Sequence, residues 1–255
     1  MSREQLERWA PLMLLALIIL LWQMACMVFD IPEFIFPSPL EITRALSEFT
    51  GPIALAAWQT FWVTMVGFGL SIVVGVLLGL LVGSTRLAYA ALFPLLVAFN
   101  AVPKAAVVPI LVVWFGIGLG PGILTAFLIS FFPIMVNMAT GLATLEPELE
   151  DVLRVLGAKR RDVLIKVGLP RSLPYFFASL KVAITLAFVG TVLAEMTAGD
   201  SGIGYLMQSA GSQQRMALAF AGLVVIGAMA MAMYELFSYV EKHTTGWAHR
   251  GSQSV

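Results

Sequence analysis

Two uncharged apolar runs decide most of what this chain can become. Ala10 to Phe29 is 20 residues without a charge, and Ala56 to Gly83 is another 28. A helix rises about 1.5 Å per residue, so either run crosses a hydrocarbon core of about 30 Å with its backbone hydrogen bonds made internally. The first run is too long for the apolar part of a secretion signal, and no small-x-small cleavage site follows it, so it reads as a retained span. Further runs follow. Leu87 to Gly118 is too long for one straight span and is interrupted by Asn100, Pro103, Lys104 and Pro109. It predicts an interfacial or membrane-entering helix to about Asn100, a break near Pro103, and then a span through Trp114. Ile123 to Leu142, Tyr175 to Ala198 and Ala217 to Val240 complete the set. With 60% hydrophobic residues and a mean hydropathy of +0.92, residues 1–255 form one all-α domain, a polytopic membrane helical bundle of about six transmembrane helices.

Within the second run, Gly75, Gly79 and Gly83 recur every fourth residue, which puts them on one side of a helix. Such a row lets a neighbouring helix approach closely. The mixed segment 30–55, with four prolines at 32, 37, 39 and 52, reads as a proline-stiffened loop. Gly199 to Met216 reads as a polar loop.

Cations orient the bundle. With the N-terminus inside and six spans, twelve lysines and arginines fall on or near the cytoplasmic side, while Arg44 and Arg215 fall outside and Lys104 lies between. That asymmetry places both termini in the cytoplasm of a multi-pass protein of the inner (cytoplasmic) membrane.

Several chemistries are excluded. No lysine follows a glycine, so the chain holds no phosphate-binding GK[ST] loop and is not its own ATPase of that class. Cys26 has no partner, and His243 and His249 lack companions at ligand spacing, so no metal site is expected. Zero net charge argues against a nucleic-acid partner. Energy must come from an ion gradient or from a partner. An ion-coupled carrier needs ionisable groups deep in its spans, and here the candidates are Lys104, Glu195 and Glu235 alone. Lys104 either lends charge to the path of an anionic solute or snorkels beside the Pro103 break. Trp114 either lines that path or belongs to the interfacial aromatic belt. Asn137 and Glu195 complete the candidate path residues. Lys181 and Glu195, about 21 Å apart along one helix, cannot pair with each other.

The longest polar interruption, residues 145–174, carries five acids and six cations between two apolar runs. Pro147 suits a first helical position, and Glu148, Glu150 and Asp151 favour the positive end of a helix. Gly157 stands where a left-handed cap is needed. A second short helix is expected from about Ala158 to Val167, ended by Gly168 and Pro170. Val152, Val155 and Leu156 share one side of the first helix.

The spacing of this stretch resembles the cytoplasmic coupling loop of binding-protein-dependent ABC importer permeases of type I: Glu-Ala-Ala, three residues, Gly, nine residues, Ile, one residue, Leu-Pro. Asp151, Val152 and Leu153 take the opening triplet, which departs from the pattern in all three residues. Gly157 takes the Gly position, Val167 the Ile position, and Leu169-Pro170 the closing pair. Phe36 to Pro39, Val102 to Pro109, Trp114 to Gly118 and Ser201 to Gly204 resemble the nitrate, taurine and sulfonate branch. The resemblance implies the type I importer permease fold, with Leu156 and Ala158 also in the ATPase-coupling surface. It implies a permease that is not itself an enzyme and binds no cofactor, ATP and Mg being held by two partner ATPase subunits. A second permease copy, most simply a homodimer, and an external solute-binding protein complete the implied assembly. The expected function is import of a small, anionic solute by alternating access. The alternative from the residues alone is an ion-gradient-driven secondary carrier.

Overall fold

The computed structural model describes residues 3–143, 155–157 and 160–245. Its helices are α1 (Arg3–Val28), α2 (Pro39–Glu48), α3 (Thr50–Gly83), α4 (Arg86–Ala101), α5 (Lys104–Phe115), α6 (Leu119–Ala143), α7 (Arg160–Val163), α8 (Leu169–Ala198), α9 (Gly202–Ser212) and α10 (Met216–Thr244). A single π-helical turn, Leu164–Gly168, joins α7 to α8. No strand occurs among the described residues. Five helices are long and apolar enough to span a membrane: α1, α3, α6, α10, and α8 with its π-turn. The pair α4 and α5, bent by 83° at the Pro103 break, makes a sixth when counted as one broken span.

The centre of the bundle is α3, α6 and α8, and small residues set its geometry. Gly67, Gly75, Gly79 and Gly83 all face α6, and a β-carbon added at Gly79 would stand 2.5 Å from the Met138 β-carbon. The contacts advance together, from Gly67 against Ile123 to Gly83 against Leu142, so α3 and α6 run parallel. Between Gly67 and Gly75, the same face carries Ser71, whose hydroxyl meets that of Ser130 at 2.7 Å. Helix α8 runs the other way. Its Ser172 lies against Gly141 and its Gly190 against Ala126, and Thr64 donates to Thr191 at 2.9 Å. In a solvent as apolar as leucine, close backbone approach and hydroxyl pairs hold helices together, at about 0.6 kcal/mol per hydrogen bond. Phe68, Ile134, Ile184 and Phe188 fill the remaining space.

Helix α10 is tied to α8 by an ion pair, Lys181 to Glu241 at 2.6 Å, with the two side chains only 18% and 11% exposed. Helix α1 is exposed from Trp9 to Leu21 and is held towards its end by Trp22, Phe36 and Phe220, whose ring centroids lie 5.2 to 6.4 Å apart.

Two segments read as loops are helices. In α2, Pro39 sits in the first turn, where a missing N–H costs nothing. The Ser38 hydroxyl accepts from the Glu41 N–H, and the Glu41 carboxylate accepts from the Ser38 N–H at 2.7 Å. That is a capping box. Ile42 and Ala45 then bury against Ile53, Ala217 and Ala221. In the 199–216 segment, α9 forms because its first turn finds hydrogen-bond partners on α3 and α8. A third correction concerns Gly168 and Pro170, which do not end a helix. Gly168 is right-handed (φ −62°, ψ −53°) and Pro170 falls in the first turn of α8. The ring of a proline clashes with the carbonyl four residues back in an α-helix, and the wider π-turn preceding Pro170 gives that carbonyl room.

Candidate functional site

The first candidate site is the coupling segment. Gly157 has φ +85°, in the left-handed region that a residue with a β-carbon enters at a steric cost. Beside it Val155 is 88% and Leu156 77% exposed, two large apolar side chains held out at a turn. Asp151, Val152, Leu153 and Ala158 lie outside the described residues. Further along, Val163 is buried, Val167 and Leu169 are half-buried, and Pro170 is exposed. The Asp162–Lys166 pair at 3.8 Å is solvated and contributes little. An apolar groove of about 330 Å³ opens beside the start of α8, lined by Val76, Met138, Ile165, Leu169, Pro170 and Phe176 among others. From Ile165 to Ala198 the chain is one helical rod of 34 residues, about 51 Å long.

At the far end of that rod lies a second site, most of which the sequence does not announce. Glu195 is 7% exposed. Its carboxylate accepts from the Thr60 hydroxyl of α3, both oxygens standing 2.9 Å away. It also accepts from the Gly204 N–H of α9 at 2.9 Å. The same Thr60 oxygen accepts from the Ile203 N–H at 2.8 Å, and Gln59 accepts from the Gly202 N–H at 3.2 Å. The first amides of a helix have no partner within it, and here three successive ones are answered by side chains of α3 and α8. A carboxylate at a helix N-terminus is further favoured by the helix dipole. Gly202 takes φ +91°, and a β-carbon there would stand 2.2 Å from a Glu195 carboxylate oxygen. Ser201 to Gly204 thus fits flush against α8.

The four candidate path residues do not form one cluster. Lys104, at the start of α5, donates to the Asn100 backbone carbonyl and to the Asn100 side-chain oxygen, closing the C-terminal end of α4 across the break. Trp114 is 71% exposed near the end of α5. Asn137 donates to the Pro133 carbonyl of its own helix at 2.9 Å. Glu195 belongs to the joint just described. No group of three or more potential metal ligands occurs among the described residues.

Thr60, Gln59 and the amides of Gly202 to Gly204 are what the residue-level reading missed. The one available signal was a pair of glycines at 202 and 204 shortly after a carboxylate near a span end.

Residues 71–244, from the middle of α3 through α10, match the family described as the inner membrane component of binding-protein-dependent transport systems. The chain belongs to this family. Among its relatives, the formylaminopyrimidine transport permease protein ThiX of Halalkalibacterium halodurans is 29% identical over 240 residues, covering 93% of this chain and 95% of that one. SsuC of Bacillus subtilis, named for aliphatic sulfonate transport, is 27% identical over 238 residues, covering 92% and 86%. In fold, the permease is similar to a chain of the MetNI methionine ABC transporter in an inward-facing conformation, with TM-score 0.67 at 19% identity over 77% of this chain and 98% of that one. The permease is a multi-pass membrane subunit of binding-protein-dependent ABC import, with the type I importer permease fold, and the ion-gradient carrier is left without support.

Proposed function

We propose that this permease carries a small solute inward by alternating access, driven by two ATPase subunits that dock at the coupling segment. A second copy of the chain, an external solute-binding protein and the lipid bilayer complete the assembly, and both termini lie in the cytoplasm. The observation that carries this reading is the left-handed Gly157 turn presenting Val155 and Leu156 to solvent, at the base of the rod that ends in α8. Exposed apolar side chains of this size on a soluble-facing turn mark a surface that a partner covers. ATP and Mg would be bound by that partner, and this chain would carry no catalytic residue and no cofactor.

Lys104, Trp114, Asn137 and Glu195 are the proposed positions along the solute path, with Glu195 closing its outer end as part of the joint. An anionic solute is proposed on Lys104, the cation placed at the break between α4 and α5. Membrane preparations enriched in this chain should yield an ATPase subunit on co-purification. Uptake into reconstituted vesicles should stop without ATP and persist in the presence of a proton ionophore. Uptake that collapses with the ionophore at constant ATP would overturn the reading. Lys104→Gln should weaken uptake with the ATPase still bound, and unchanged uptake would assign Lys104 to closing α4 alone.

A further inference from the structure

Helix α9 hangs on a three-residue link, 199–201, between Ala198 and Gly202. Such a link with a glycine at its start would by itself act as a hinge. The structure removes the hinge by other means. The N-cap residue Ser201 makes no side-chain cap hydrogen bond, so the first turn of α9 depends on Gln59, Thr60 and Glu195 for its partners. Packing reinforces this: a β-carbon at Gly204 would stand 2.5 Å from the Val192 carbonyl oxygen and 2.6 Å from the Glu195 β-carbon. Glu195 thus joins α8 by hydrogen bonds to both α3 and α9, and it is buried where an unmet carboxylate oxygen would be costly. Beyond the joint, α9 presents Tyr205, 44% exposed, and Gln208 to the outside of the bundle.

We propose that Glu195 is a positioning residue that fastens α9 to the end of α8, so that the two move as one body and movement entering at the coupling segment reaches the opposite face of the permease. This rests on the ATP-driven reading above. The joint has the geometry such a role needs. It lies at the end of the 34-residue rod opposite the coupling segment, and its hydrogen bonds tie together residues 135 positions apart in the chain.

Spin-label distances test it in the purified permease–ATPase complex, with Cys26 replaced by serine. Labels at Val189 on α8 and at Gln208 on α9 are each measured against one at Ser47 on α2. In the otherwise unmodified chain, ATP with vanadate should shift both distances. In Glu195→Leu, whose side chain offers no acceptor to the Thr60 hydroxyl or the Gly204 N–H, the Val189 shift should persist while the Gln208 shift is lost. Thr60→Val should do the same, whereas Thr60→Ser, which keeps the hydroxyl, should retain both shifts. A general loss of structure would abolish both together and would not be rescued selectively by serine. A Gln208 shift that survives unchanged in Glu195→Leu and Thr60→Val overturns the proposal, as does an unmodified chain in which Val189 moves and Gln208 does not. Absence of both shifts in the unmodified chain removes the ATP-driven reading and this proposal with it.

Discussion

Replacing Gly79 by alanine should loosen the seam between α3 and α6. A β-carbon at residue 79 would stand 2.5 Å from the Met138 β-carbon and 2.8 Å from the Met135 carbonyl oxygen. Non-bonded carbons settle about 3.5–4.0 Å apart, so the helices must part by about 1 Å at this level. Neither obstacle can turn aside, since one is fixed to its own backbone and the other belongs to a helix ladder. Parting at residue 79 also strains Gly75 and Gly83, which lie in the same register against Ile134 and Leu142. Forcing extra volume into a close-packed core costs about 1–3 kcal/mol. At about 2–4 °C per kcal/mol for a chain of this size, the apparent melting midpoint should fall by about 2–12 °C. Gly69→Ala is the matched control on the same helix, because nothing lies within 4 Å of its β-carbon. There the better helix propensity of alanine, about 1 kcal/mol, should leave the midpoint equal or slightly raised. The assay is loss of the monodisperse fluorescence size-exclusion peak of detergent-solubilised protein after heating. A midpoint for Gly79→Ala at or above that for Gly69→Ala would refute the close-approach argument.

Gly157→Val, which forces a β-branched residue to φ +85°, should strain the coupling turn by about 1–2 kcal/mol. It should abolish uptake while insertion and the melting midpoint stay near wild type, and uptake at the wild-type rate would reduce the turn to a connection. Cysteines placed singly at exposed Ser47 and Gln208, in a Cys26→Ser background, should react with an impermeant thiol reagent outside intact cells, and one at Lys166 should not; the reverse pattern would invert the proposed topology. Lys181→Met should lower the melting midpoint by leaving the Glu241 carboxylate buried without its cation, at a cost of about 3–5 kcal/mol. Adding Glu241→Gln to it should recover part of that loss, and a double variant no more stable than the single one would deny the pair its role.

What could be read from residues alone was whatever depends on sums or on near neighbours. Spans follow from length and hydropathy, because a bilayer demands internally bonded helices whatever the tertiary arrangement. The row Gly75, Gly79 and Gly83 announced a close helix contact because helical periodicity places every fourth residue on one face, although the sequence did not say that α6 would be the partner. Gly157 was legible as a left-handed position because its requirement is local. Helix α2 was also within reach, since Ser38 and Glu41 are a capping box at ordinary spacing, but the surrounding prolines obscured it. The tertiary structure alone decided the rest. The partner of Glu195 is Thr60, 135 residues away, and that of Lys181 is Glu241, 60 residues away. The amides that let α9 begin are satisfied only once α3 and α8 stand side by side. Pro170 reads as a stop in sequence and continues a rod in the fold, because a wider turn ahead of it removes the clash. Hydropathy and periodicity carry no record of such pairings, for the free energy that selects them arises only when distant polar groups are brought together out of water.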